Sequence, residues 1–321
     1  MANRRPEEIL SLYWRIMFGA IATVLALLGV PASAAARAAG LPRHYVALGD
    51  SYTAGPLIPL QRPDPIGCER STNNYPSLLA AALGIRDFTD VSCSGAKTDN
   101  MTVAQSVLLL GTNPPQFTAL RPDTDLVTLT ISGNDIGFTE LIYTCARAAA
   151  LNPLGNPCQR EATAGGSDIY AQRVAAVAPK VGAVLEGIHR RSPHATVLLV
   201  GYLRILPPTG GCYPVMPIAR GDVPYLDGVQ QELTAMLASQ AFHHNALFVD
   251  SYARSFGHDA CQPPGVKWVE AVTPTSPAAP VHPNAMGMQA VAGFALDTLM
   301  PVTAPVGRIW PAEPWQTGDG R

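Results

Sequence analysis

No uninterrupted apolar run in the 321 residues reaches the roughly 20 positions that a membrane-spanning helix needs. The chain contains no Cys-x-x-Cys pair, no His-Glu-x-x-His and no acidic loop of calcium-binding spacing. A zinc centre or other metal site therefore has no ligand set to build on, and neither a metal nor an organic cofactor is expected. Charged residues are sparse at 14%, and no basic patch interleaves with aromatics, so nucleic-acid binding lacks an electrostatic footing. Between about Leu41 and Met300 there is no Pro/Gly/Ser linker and no internal repeat, which leaves one domain rather than an array.

Arg4, Arg5 and Arg15 precede an apolar stretch from Ile16 to Val30, followed by Ala32-Ser33-Ala34-Ala35-Ala36. A positive start, a short apolar run and small residues describe a secretory signal peptide over residues 1–34. The mature chain is expected outside the cell or in the cell envelope. Residues 301–321, with Pro305, Pro311 and Pro314, read as a Pro-rich tail. Six cysteines, an even number, fit an exported protein with three disulfides. Of the 15 pairings six cysteines allow, the nearest-neighbour set is the expectation: Cys68–Cys93, Cys145–Cys158 and Cys212–Cys261. Each of these would staple a loop flanking the sheet.

Five short apolar, β-branched runs read as strands: Tyr45–Leu48, Phe88–Ser92, Leu126–Ile131, Thr196–Val200 and Leu247–Asp250. Helical periodicity occupies Tyr75–Leu83, Phe138–Ala149, Tyr170–Arg191, Tyr225–His243 and Ala285–Met300. Alternating strands and helices predict an α/β fold: three layers, with a doubly wound, five-stranded parallel sheet covered on both faces. Three long Pro/Gly-rich loops (56–74, 151–167 and 206–224) are expected to build the rim of a cleft.

Four segments carry chemistry. Gly49-Asp50-Ser51 ends the first strand, Ser94-Gly95 follows the second, Ser132-Gly133-Asn134-Asp135 ends the third, and His282-Pro283-Asn284 opens the last helix. Ligands of open α/β sheets bind at the carboxyl ends of strands, where the first three segments fall. This ordered set resembles the SGNH hydrolases, also called the GDSL esterase and lipase family. Ser51, Gly95, Asn134 and His282 occupy the family's four named places. The first block reads Gly-Asp-Ser-Tyr where the name-giving motif has leucine, a change the family tolerates. The export signal and cysteine count are similar to the secreted actinobacterial lipase and esterase branch. Covering most of residues 43–300, the resemblance implies a flavodoxin-like sheet and cofactor-free hydrolysis of acyl esters.

The residue chemistry leads to the same assignment. Ester cleavage needs a nucleophile, a base and donors aimed at the oxyanion. Ser51 is the expected nucleophile and His282 the base. The backbone N–H groups of Ser51 and Gly95, with the side-chain amide of Asn134, form the expected oxyanion hole. Asp50 braces the turn. His258 is the rival base, while His44, His189, His194, His243 and His244 read as solvated or helix-terminal residues. Many relatives carry an aspartate three residues before the histidine, but Ala279 stands there. The carbonyl of Ala279, or Asp259 from another loop, is the expected orienting group, and the former would make a Ser–His dyad.

The expected activity is hydrolysis of small-molecule or lipid acyl esters by a monomer that touches lipid surfaces transiently. Polysaccharide O-deacetylation is the alternative activity, and a catalytically silent envelope-binding protein is the alternative class.

Overall fold

A computed structural model describes residues 42–107 and 110–300; the expected signal peptide and Pro-rich tail lie outside them. Five strands form one sheet: β1 (His44–Gly49), β2 (Asp87–Asp90), β3 (Leu126–Thr130), β4 (Thr196–Val200) and β5 (Leu247–Val249). All neighbours are parallel, in the order β2-β1-β3-β4-β5. The helices are α1 (Ser51–Ala54), α2 (Tyr75–Leu83), α3 (Phe138–Ala149), α4 (Pro157–Ala162), α5 (Ile169–Arg191), α6 (Val223–His243), α7 (Ser251–Arg254) and α8 (Ala285–Leu299).

The apolar runs explain the layering. Every residue of β3 is buried, and β1 and β4 are exposed only at their first residues, so these strands need helices on both faces. The edge strands β2 and β5 are only partly buried, which is why their sequences are less uniformly apolar. Helix α2 packs with α8, and α5 packs with α6. Right-handed crossovers running outward in opposite directions from β1 and β3 put these two pairs on opposite faces. The direction reverses between β1 and β3, and this switch point opens a crevice at the carboxyl edge.

Side chains fix where the helices begin. Asp168 accepts from the Tyr170 and Ala171 N–H groups to start α5, and Asn74 accepts from Ser77 N–H to start α2. Past the end of β2 the chain still follows β1, with Val91 N–H bonded to the Ala47 carbonyl and Cys93 N–H to that of Gly49. This carries Gly95 to the same edge as Ser51. Disulfides join Cys68 to Cys93, Cys145 to Cys158 and Cys212 to Cys261. Among the described residues no helix is long and apolar enough to cross a membrane.

Candidate active site

Ser51 is the first residue of α1, immediately beyond β1. The preceding Gly49 cannot be exchanged for a larger residue without collision, because an added Cβ would lie 2.7 Å from the Thr130 carbonyl oxygen of β3. Asp50 caps the short helix, its Oδ1 accepting from Tyr52 N–H at 2.9 Å. The Ser51 hydroxyl lies 2.8 Å from His282 Nε2, across 231 residues of chain.

The protonation pattern follows from the partner on the far side of the ring. His282 Nδ1 lies 2.8 Å from the Pro280 carbonyl oxygen, and a carbonyl can only accept. Nδ1 therefore carries the proton, and Nε2 presents its lone pair to the serine hydroxyl. Burial pulls the imidazole pKa below its ordinary 6.5, opposed by the Pro280 carbonyl and by Glu69. The ring thus resists the charging that would disable it as a base.

The orienting group differs from both sequence expectations. The Ala279 carbonyl accepts from the His282 backbone N–H instead of its ring. Asp259 is spent within its own turn, accepting from Cys261 N–H and the Gln262 side chain. His258 is stacked on Trp268 at 3.7 Å, with Nδ1 on the Val266 carbonyl, and takes no part in this site. The residues from 279 to 282 turn so tightly that the carbonyl nearest the ring is that of Pro280. Val281 in this turn has φ +60, a costly conformation for a β-branched residue.

A buried polar cluster holds that turn in place. Glu270 N–H donates to the His282 carbonyl at 2.9 Å, and the Glu270 carbonyl accepts from Val281 N–H at 3.1 Å. The Glu270 carboxylate is paired with Lys267 at 2.8 Å and also accepts from Asn284, Ser276 and Thr275. Burial alone would raise its pKa; the donors of Asn284, Lys267, Ser276 and Thr275 prevail and hold it at about 2. On the other side, the Tyr52 hydroxyl donates to the Val281 carbonyl at 2.8 Å.

The three strand-end loops are tied together. Asn134 Nδ2 donates to the Ala96 carbonyl at 2.9 Å, which joins the third-strand loop to the Gly95 loop and, among the described residues, leaves the second amide proton unengaged. Asp135 strengthens this tie by accepting from Thr98 N–H and its hydroxyl. Among the described residues, neither Ser51 N–H nor Gly95 N–H donates to a protein acceptor. Both are available to an anion at this edge. Ser132 carries φ +104, so backbone strain of about 1–3 kcal/mol sits beside Asn134; among the described residues its buried hydroxyl has no partner.

A cavity of about 210 Å³ opens from the pair, lined by Ser51, Asn134 and His282 together with Phe138, Ile142, Tyr143, Ile205 and Leu233. Gly95 is not among its lining residues. The walls come from α3, α6 and the chain after β4. None of the three long loops expected at the rim contributes. Tyr202 and Pro280 were invisible to motif reading. Tyr202 does follow a strand at the catalytic edge, a positional signal. A backbone carbonyl such as that of Pro280 gives none, since every residue has one.

A doubly wound parallel sheet with a serine, an imidazole and a side-chain amide at its carboxyl edge defines a class, serine hydrolases built on a flavodoxin-like sheet. The chain belongs to the GDSL-like lipase/acylhydrolase family, whose family model matches residues 47–290, and it is a carboxylic ester hydrolase. It is 39% identical over 294 residues to Lipase 2 of Streptomyces coelicolor, spanning 89% of this chain and 97% of that lipase. Among solved structures, it is similar to phospholipase A1 from Streptomyces albidoflavus NA297, at 28% identity and TM-score 0.63 over 80% of this chain and 98% of that one. The extracellular lipase of Streptomyces rimosus is similar at 29% identity and TM-score 0.62, covering 80% and 97%.

Proposed function

We propose that the protein is an exported esterase that cleaves acyl-lipid esters through a Ser51–His282 dyad. The observation that carries this reading is the 2.8 Å approach of the Ser51 hydroxyl to His282 Nε2 at the wall of an apolar cavity. In acylation the Ser51 oxygen attacks the ester carbonyl while its proton passes to Nε2. The resulting oxyanion is met by Ser51 N–H, Gly95 N–H and the free proton of the Asn134 amide. The alcohol then leaves with the proton held by His282, giving an acyl-serine. Water repeats the sequence, losing a proton to Nε2 and releasing the acid and the free serine.

The substrate class is read from the cavity. An acetyl group would leave Phe138, Ile142, Ile205 and Leu233 uncovered, whereas an acyl chain buries them. The relatives' names, lipase and phospholipase A1, support the same class. Three disulfides support an oxidising compartment, as does the extracellular relative.

The test pairs a fluorophosphonate label with an ester series. Wild-type protein should be labelled at Ser51, and Ser51→Ala should lose both the label and at least about 10⁴-fold in kcat. Nitrophenyl esters should be cleaved better as the acyl chain grows past acetyl. A folded Ser51→Ala variant that still turns over defeats the dyad. A preference for acetylated glycans would favour the deacetylase reading instead.

A further inference from the structure

We infer that Tyr202 is a positioning residue for ester hydrolysis: its hydroxyl locks the Ser51 turn to the Asn134 loop, so that nucleophile and oxyanion donors address one carbonyl. The inference rests on the roles proposed above for Ser51 and Asn134. Tyr202 lies just beyond β4, at the same sheet edge as both. Its hydroxyl donates to Asp50 Oδ2 at 2.6 Å and accepts from Gly133 N–H at 2.7 Å. The Gly133 N–H can only donate, so the phenol oxygen accepts there and turns its own proton to Asp50 Oδ2.

Each end of the bridge is one step from the chemistry. Asp50 caps α1, whose first residue is Ser51. Gly133 is the covalent neighbour of Asn134. Backbone pairing between the two strand ends stops at Asp50 N–H and the Thr130 carbonyl. Beyond that point the Asn134 loop is tied to the Gly95 loop through Ala96 and Thr98. Among the described residues, Tyr202 is the one side chain whose hydrogen bonds join the Ser51 turn to residues 132–135.

Packing supplies independent support. A Cβ added at Gly133 would lie 3.0 Å from the Tyr202 hydroxyl and 3.1 Å from its Cζ. The glycine of the third motif block is therefore what admits the phenol. The Tyr202 ring also meets Tyr52 edge-on at 5.0 Å, and Tyr52 in turn lies 5.2 Å from the His282 ring. Asp50 is 1% exposed and Tyr202 6%, so the bridge is shielded from bulk water.

Tyr202→Phe keeps the ring and deletes the bridge. Active-site misplacements of about 1 Å cost on the order of 10²-fold. We therefore expect kcat per fluorophosphonate-titrated serine to fall about 10- to 100-fold, with KM changed less than about twofold. The labelling rate should fall in parallel. Gly133→Ala crowds the phenol without removing it, pushing it by a few tenths of an ångström, and should lower kcat in the same direction by more than twofold, with KM changed less than about twofold. In the double variant the two losses should not add, because both act on one contact. A purely structural role would lower the melting temperature but leave kcat per titrated site within about twofold of wild type, and that outcome overturns the inference. If Tyr202→Phe does not fold, Gly133→Ala decides by the same criteria. Activity surviving in Ser51→Ala would instead sink the dyad, leaving the two failures distinguishable.

Discussion

In the proposed dyad, the Pro280 carbonyl does part of what a carboxylate does in a triad. It fixes the His282 tautomer, but it brings no full negative charge to stabilise the imidazolium. Burial acts on the resting ring instead: it holds the pKa below 6.5 and keeps the imidazole neutral, able to accept a proton. A base with a lowered pKa stays competent to lower pH, so the acid limb of kcat/KM should be centred below pH 6.5. A limb at or above that value that persists in Asp50→Asn would contradict the lowered His282 pKa. Asn134 offers a second measurement at this scale. Its second amide proton has no acceptor among the described residues, and Asn134→Ala should lower kcat about 10²- to 10³-fold with little change in KM.

Among the elements, α8 matters most to the site because its N-terminus and the His282 turn share residues. Asn284 accepts from Gly287 N–H at 3.0 Å, capping the helix, while its amide donates to the Lys267 carbonyl and to Glu270. Removing a cap typically costs about 1 kcal/mol, and a buried acceptor stripped of a donor costs about 1–3 kcal/mol more. Asn284→Ala should thus lose about 2–4 kcal/mol in urea unfolding. It should also lower kcat, since Glu270 holds the backbone of Val281 and His282. A stability loss below about 0.5 kcal/mol would mean that the cap and the cluster are independent of the fold's cohesion.

For the molecule as a whole, the groups buried around the site write a pH dependence into stability. Burial pushes the Asp50 carboxyl up from 3.8 to about 7, against the donors of Tyr202 and Tyr52 and with a smaller contribution from Asp135. The folded chain therefore retains a proton that the unfolded chain releases near pH 3.8. Stability from this group is present below that value and is lost as pH rises to about 7. His282 and Glu270 have lowered values and act in the opposite sense, losing stability as pH falls. Asp50→Asn removes only the first contribution. The melting temperature of that variant minus that of wild type should increase from pH 4 to pH 8, and calorimetry showing a constant difference would refute the assignment.

Much of this architecture was written in local sequence. The inner strands were marked by continuous apolar runs, and the longer helices by their apolar periodicity. The serine, glycine, amide and imidazole blocks each stood at an element boundary, so their arrival at one sheet edge followed from topology. The edge strands were read as more apolar than they are, because pairing with β1 and β4 holds them where their own side chains would not. What the chain alone did not reveal is the second layer around the site: the Pro280 carbonyl behind His282, the Tyr202 bridge between Asp50 and Gly133, and the walls of the cavity. Strand, helix and cap signals arise from neighbours a few residues apart, and so survive in a linear reading. The Tyr202–Asp50 bond spans 152 residues and the Ser51–His282 bond 231, and such partners become neighbours only once the crossovers have folded.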